Sequence, residues 1–272
     1  MRIGNRQLQR TFLIPGLILL SLLTVTPSIS PVRGEQLASD GSAGLFGKAY
    51  GGSGATSVSL FLTTTRSNDL IVITGLLAPS ATMLSVTDAS GLVFIERVHQ
   101  EVSVFGNYKG VLFEWYAVSA SPLSSDNIKI NWDINSDQFV IIAYAIAGVN
   151  VHKPFESSPN VGTTVNASAT GSFSSKGGRS ILLMNAFCSH DCRGTPMQPS
   201  NFNRMTVVGE YLNCVPGHGC GSHLPFFLED VSFRVVSGGK SSYAAVEDGL
   251  SMVDYGHGIT WNILAETLRA AH

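Results

Sequence analysis

Short runs in which hydrophobic and polar residues alternate recur along the chain, and each predicts a β-strand with one buried face. The clearest runs cover residues 128–134, where isoleucines and a tryptophan alternate with polar side chains, and residues 230–235. Denser apolar runs predict central strands, buried on both faces, at 69–77, 139–147 and 180–187. Other runs predict further strands at 92–98, 111–118, 205–212, 242–246 and 259–265.

Helical periodicity is scarce, and the best candidate for a helix is the segment 261–271, where two leucines lie four residues apart. Residues 259–265 also alternate, so we favour a strand there. Many short strands with little helix predict an all-β fold: a single antiparallel β-sandwich, jelly-roll-like, with about ten strands. No internal repeat is evident in the sequence.

The first residues have the pattern of a secretory signal peptide. Three arginines precede an apolar stretch over residues 12–26, and the first acidic residue is Glu35. The stretch has 15 residues and contains Pro15 and Gly16, whereas a membrane-spanning helix needs about 20 apolar residues. We therefore predict cleavage after Gly34 and a protein that is secreted or exposed at the cell surface. The alternative is an uncleaved leader that anchors the chain, and the leader is the only segment predicted to contact a membrane.

The composition restricts the classes of partner. Charged residues make up 13% of the chain, against about 25% in typical soluble domains. The net charge is −2 and no basic cluster marks a nucleic-acid interface, so we expect no nucleic-acid partner. The predicted organisation is a signal peptide over 1–34, a flexible glycine-rich entry segment over 35–55 and a β-sandwich domain over 56–270.

Four short motifs follow one another in order: NDLIV at 68–72, SVTD at 85–88, LFEWYA at 112–117 and AYAIAGV at 143–149. With the run Arg234 to Val236 and the strand at Trp261, this set resembles the jelly-roll-like β-sandwich domains of uncharacterised bacterial and archaeal secreted or surface proteins. The resemblance covers roughly residues 60–270. It implies an extracellular sandwich, and it transfers no catalytic residue. The cysteine-rich segment departs from the usual pattern of these domains.

All four cysteines lie late in the chain, at Cys188, Cys192, Cys214 and Cys220. In an oxidising compartment such cysteines form disulfides, and three pairings are possible. If the strands that lead to Cys188 and Cys214 run antiparallel, these two residues lie roughly 30 Å apart, at opposite edges of the sandwich. A disulfide requires Cα atoms within about 7 Å, so this premise favours the local pairs Cys188–Cys192 and Cys214–Cys220.

A metal site is the alternative for the same segment, because His190, His218 and His223 lie among the cysteines. Thiolates and imidazoles are the ligands of zinc, which prefers four of them in a tetrahedron. The spacing includes no Cys-x2-Cys pair, and free thiols are a third alternative. Since the disulfide interpretation is favoured, we expect no cofactor.

Glu114 is the most interesting carboxylate, because it shares one face of a predicted strand with Leu112 and Tyr116. A face with a glutamate and a tyrosine could line a sugar-binding groove, although we favour an ordinary outward face. Trp132 alternates with isoleucines, which predicts a core position rather than a binding platform. The chain has neither a Gly-x-Ser-x-Gly nor a His-Glu-x-x-His motif, so two common hydrolase signatures are missing.

The functional prediction is an extracellular binding or surface-structural module without catalysis, whose partner would be a glycan or a surface protein. The alternatives are a metal-binding protein or metalloenzyme that uses residues 188–223, and a carbohydrate-active enzyme that uses Glu114. Asn166 begins an Asn-Ala-Ser sequon, which predicts an exposed loop and a site of glycosylation.

Overall fold

The described part of the chain contains β-strands and no helix, and all paired strands are antiparallel. The computed structural model describes residues 37–47, 54–81, 83–105, 107–136, 138–165, 169–176, 178–189, 202–209, 227–237, 241–247 and 260–271. All of them belong to one unit, Gly34–His272. Among these residues no helix is long and apolar enough to cross a membrane.

The strands are numbered in chain order. They are β1 (Ala38–Phe46), β2 (Ala55–Leu62), β3 (Asp69–Ala78), β4 (Met83–Thr87), β5 (Ile95–Phe105), β6 (Tyr108–Ser119), β7 (Asp126–Ser136), β8 (Gln138–Ala147), β9 (Asn160–Val165), β10 (Ala169–Ser175), β11 (Arg179–Ser189), β12 (Asn203–Gly209), β13 (Phe227–Ser237), β14 (Ser241–Glu247) and β15 (Thr260–Arg269).

These strands form two large and two small sheets. The first large sheet has the order β1-β8-β3-β6-β5, and the second large sheet has the order β12-β13-β11-β15-β9. The first small sheet is β2-β7-β4, and the second small sheet is β10-β14. The contacts between their side chains stack the four sheets as layers, with the two large sheets in the middle.

Hydrophobic clusters fill each gap between these layers. Trp132 of the first small sheet packs with Phe113 of the first large sheet. Tyr144 of the first large sheet packs with Leu183 of the second, and Phe173 of the second small sheet packs with the second large sheet. Both faces of each large sheet are therefore buried, which explains why β3, β8 and β11 are mostly apolar on both faces rather than alternating.

The order of the strands occurs twice along the chain. In the second large sheet the strands β9, β15, β11, β13 and β12 take the places that β1, β8, β3, β6 and β5 have in the first. In the same way, β10 and β14 take the places of β2 and β7. The orders 1-8-3-6 and 2-7-4 are those of an eight-stranded jelly roll, in which two Greek keys form two facing sheets. Strands β1 to β8 therefore form a first roll and β9 to β15 a second roll, and they meet through their large sheets.

The register of the strands repeats as well. Between Glu96 and Val98 the edge strand β5 has a bulge opposite Glu114 of β6, and Glu114 pairs with Thr74 of β3. The edge strand β12 has the matching bulge between Arg204 and Thr206. The residue of β13 that pairs with Thr206 also pairs with Asn185 of β11. Oγ1 of Thr74 lies 3.5 Å from Oδ1 of Asn185, so equivalent positions of the two rolls touch.

The predicted fold class is confirmed: the chain is all-β, with antiparallel sheets in a jelly-roll-like arrangement. Each of the ten predicted strands overlaps an observed one, and Trp132 is a core residue. The described residues contain fifteen strands because the jelly-roll order occurs twice. The sequence has no evident repeat, whereas the structure has one in its topology and register. Part of the predicted flexible entry segment forms strand β1.

The shared core predicts that the two rolls unfold together. Leu183 is fully buried in the cluster between the large sheets, so Leu183→Ala should lower the free energy of unfolding by about 2–5 kcal/mol. Leu45→Ala, at a side chain that is 37% exposed, is the matched control and should change it by less than about 0.5 kcal/mol. Urea denaturation followed by far-UV circular dichroism and by tryptophan fluorescence should give one coincident transition. Two separate transitions would contradict the shared core.

Candidate functional site

A band of polar side chains crosses the otherwise apolar interface between the two large sheets. Each of them is fully or almost fully buried. The first roll contributes Thr74, Glu114 and Tyr144, and the second roll contributes Asn185, Glu229 and Glu266. Because buried charged groups are costly unless they are paired, the contacts within this band determine what it can do.

Glu114 lies on the face of β6 that points towards the second roll. As predicted, its face is that of Leu112 and Tyr116, because alternate residues of a strand share a face. That face was expected to be an outward one, and this expectation was wrong. The second large sheet covers it, and the Glu114 side chain is 0% exposed.

Arg97 joins carboxyl groups from both rolls. Its Nε donates a hydrogen bond to Oε1 of Glu114 at 2.8 Å, and its Nη2 donates to Oε2 of Glu266 at 2.8 Å. The bulge in β5 makes this possible, because it turns Arg97 inward together with the adjacent Val98. In the second roll the bulged position is Met205, which packs against the apolar core. The ion pairs therefore occur at one of the two equivalent places.

Phe155 covers the guanidinium of Arg97 from the other side. The Cζ atom of Arg97 lies 3.4 Å from the centroid of the Phe155 ring, in a cation–π contact. Tyr116 meets the same ring edge to face, with ring centroids 5.0 Å apart. The two residues predicted for binding, Glu114 and Tyr116, therefore lie directly behind Arg97 and Phe155. Their role in binding stays a prediction.

The segment that carries Phe155 connects the two rolls and is tied to β15. Phe155 forms a β-bridge with Leu268, and the backbone N–H of Glu156 donates to the carbonyl of Thr267 at 2.8 Å. The Nη2 group of Arg97 is also 3.4 Å from the carbonyl oxygen of Ser157. These contacts fix the connection between the rolls against the edge strand β5.

Burial dominates the electrostatics of the polar band. The pKa of Glu114 lies well above its usual value, first because burial disfavours the charged form and then because the charge of Glu266 is close to it. Arg97 opposes this shift without cancelling it. Burial likewise raises the pKa of Glu229, although the hydroxyl of Thr74 donates to its Oε1. Burial also raises the pKa of the Tyr144 hydroxyl, and the nearby glutamates add to this shift.

An open pocket of about 460 Å³ lies on the outer side of Arg97. It is bounded by β5 and by the connection between the rolls. Its lining residues are Glu96, Arg97, Phe155, Glu156, Ser157, Ser158 and Pro159. Arg97 is thus the one member of the polar network that also lines the pocket, with a side chain that is 14% exposed.

Of the four cysteines predicted to form disulfides, Cys188 lies among the described residues. It is 1% exposed near the end of β11 and is not a free thiol. The remaining residues predicted for disulfides, metal or glycosylation lie outside the described residues: Cys192, Cys214, Cys220, His190, His218, His223 and Asn166. No group of three or more metal-binding side chains occurs in the described part of the chain. The disulfide and metal interpretations therefore stay predictions.

The strands that lead towards Cys188 and Cys214 were assumed to run antiparallel, and this premise was wrong. Strands β11 and β12 are each antiparallel to β13, so they run parallel to each other. Cys188 and Gly209 both pair with Leu228, from opposite sides. The chain therefore leaves β12 at the end of the sheet where Cys188 lies, and strand length does not separate Cys188 from Cys214. All three pairings stay open.

Sequence reasoning missed Arg97, Glu266 and Phe155. A signal for Glu266 was present, because a lone glutamate interrupts the apolar run of residues 263–268 in a strand with two buried faces. Arg97 gave no such signal, since in regular alternation it would point away from its neighbour Val98. Phe155 lies in the connection between the rolls, where periodicity carries no information.

Loss of the bridging cation should destabilise the fold. Arg97→Met keeps much of the length of the side chain but leaves two buried carboxyl groups without it, so unfolding should become easier by about 3–5 kcal/mol. Lys129→Met, on the exposed face of β7, is the control and should change stability by less than about 0.5 kcal/mol. Denaturation of both variants in urea checks this. If both variants lowered the free energy of unfolding by the same small amount, Arg97 would not stabilise the contact between the two rolls.

Three comparisons with known proteins, against family models, curated proteins and solved structures, found no match to this chain. The resemblance to secreted β-sandwich domains is therefore supported as far as its all-β, antiparallel architecture and no further.

Proposed function

We propose that this protein is an extracellular binding module without catalytic activity, and that it binds carbohydrate in the pocket beside Arg97 and Phe155. The observation that carries the proposal is the fixed guanidinium of Arg97. Two buried carboxyl groups and an aromatic ring hold it in place at the wall of an open pocket. A charged side chain held in this way is pre-organised, so a ligand would not have to order it on binding.

The position of the pocket supports this proposal. It lies where β5 of the first roll meets the connection to the second roll, and binding sites occur preferentially at such junctions. Its walls are rigid, because β5 is paired along most of its length and the connection is hydrogen-bonded to β15. The second form of the proposal is a surface-structural module. It ranks second because a pocket in this position favours binding.

The chemistry of the lining fits a polyol better than an ion. The Nη1 group of Arg97 makes no hydrogen bond within the described part of the chain, so it remains as a donor. The Glu96 carboxyl group is 41% exposed, and the hydroxyls of Ser157 and Ser158 can both donate and accept. Phe155 adds an apolar surface. Mixed donors and acceptors with no dominant charge suit neutral sugar hydroxyls.

The geometry does not support the alternative in which Glu114 is a catalytic residue. Glycosidases place two carboxyl groups roughly 5–10 Å apart, with the scissile bond between them. Here one guanidinium, that of Arg97, binds both Glu114 and Glu266, whose side chains are 0% and 1% exposed. No substrate fits between them. The metal-dependent alternative depends on residues 188–223, most of which lie outside the described residues.

Filling the pocket should abolish binding without affecting the fold. Ser158 is exposed in the pocket wall, so Ser158→Trp should weaken glycan binding at least about tenfold, which is about 1.4 kcal/mol. Ser121→Trp, in an exposed loop elsewhere, is the matched control and should bind normally. A glycan array, followed by calorimetry with the best soluble oligosaccharide, measures both. Equal binding by both variants would place the site elsewhere. No binding by the wild type would leave a protein partner or a structural role.

The proposed location makes a separate prediction. The secreted protein should begin at Glu35, and in the absence of reductant its mass should show that each of the four cysteines has lost one hydrogen. An intact-mass spectrum of protein collected from the medium tests both points. A full complement of hydrogens together with a bound metal would instead support the metal-binding alternative. Retention of residues 1–34 would support the anchored form.

A further inference from the structure

Two oxygen atoms of the buried ion pairs lack a partner. Glu114 uses Oε1 and Glu266 uses Oε2 to accept hydrogen bonds from Arg97. Oε2 of Glu114 and Oε1 of Glu266 are buried, and neither has a hydrogen-bond donor within the described residues. Because one guanidinium binds both carboxyl groups, the two groups lie close together. Two ionised carboxylates cannot donate a hydrogen bond, so this arrangement would place like charges together in a dry interior.

We propose that Glu114 and Glu266 share one retained proton, held between Oε2 of Glu114 and Oε1 of Glu266, and that this proton fastens the first roll to the second. One proton turns the repulsive contact into a carboxyl–carboxylate hydrogen bond, and both unmatched oxygen atoms then have a partner. With Arg97 carrying one positive charge, the three groups become neutral as a set. This inference concerns the joint between the rolls and does not depend on what the pocket binds.

The groups around the pair agree with a neutral set. Arg97 of β5 is the one cation that contacts either carboxyl group within the described residues. Tyr144 of β8 faces the pair, and the raised pKa of its hydroxyl keeps it neutral. Glu229 of β13 lies near Tyr144 and is hydrogen-bonded to Thr74. The raised pKa of Glu114 has the direction that a retained proton requires.

The retained proton makes the joint sensitive to pH. An unfolded glutamate loses its proton near pH 4.3, whereas the folded pair keeps one to a higher pH. Above that value the folded state binds more protons than the unfolded state, so stability must fall as the pH rises, until the folded pair ionises. For one proton the unfolding equilibrium constant should rise by up to about tenfold per pH unit. Glu229 contributes in the same direction, because its pKa is also raised.

Glutamine variants separate the shared proton from a purely structural role. In Glu114→Gln the amide can donate permanently to Oε1 of Glu266, while Glu266 still balances Arg97. Glu266→Gln leaves the Glu114 carboxylate to balance Arg97. Each single variant should therefore fold and be at least as stable as the wild type near pH 8. Each should also show a pH dependence that is smaller by one proton, since Glu229 is still present in both.

The experiment is urea denaturation of the full chain and of the three variants from about pH 5 to about pH 9. The double variant Glu114→Gln/Glu266→Gln leaves Arg97 without a carboxylate, so it should lose more stability than the two single changes together. The proposal is overturned if both single variants are much less stable than the wild type and keep its full pH dependence. If Glu114→Gln does not fold, Glu266→Gln alone decides, because it removes the same proton.

Discussion

The packing of the two large sheets against each other is the contact on which the other layers depend. It buries the second face of each sheet, and for this reason β3, β8 and β11 can be mostly apolar on both faces. The small sheets then cover the outer faces, and four layers result from two copies of one topology. An isolated roll would expose the apolar face of its large sheet to water, so each roll completes the core of the other.

The polar band in this interface determines how the two large sheets align more than it stabilises them. An apolar face alone would let the large sheets slide or rotate, whereas Arg97 must meet Glu114 of one roll and Glu266 of the other at a single register. Buried ion pairs are a poor source of net stability because desolvation offsets their attraction. Their value here is that every wrong register leaves charges unpaired. The bulge in β5 is the local irregularity that aims the cation into place.

The sequence predicted the fold class and ten strands, because hydrophobic alternation survives wherever one face meets a core. It missed five strands, all of which lie at the edges of their sheets: β1, β2, β4, β9 and β10. For Glu114 the shared face with Tyr116 was right and its surroundings were wrong, since alternation defines a face but not what covers it. Arg97 and the repeat depend on a bulge and on pairings between distant strands, which no local pattern reports.

The connection between the rolls has a consequence for how such a chain can diversify. It supplies Phe155 and most of the pocket wall, while β5 of the first roll supplies Arg97 and β15 of the second supplies Glu266. Neither roll contains the pocket by itself, so the pocket arises only from the tandem arrangement. In the second roll Met205 occupies the place of Arg97, so the ion pairs of the first roll have no counterpart at this position. Changes in one short linker can therefore reshape the pocket while the strands of both rolls stay intact.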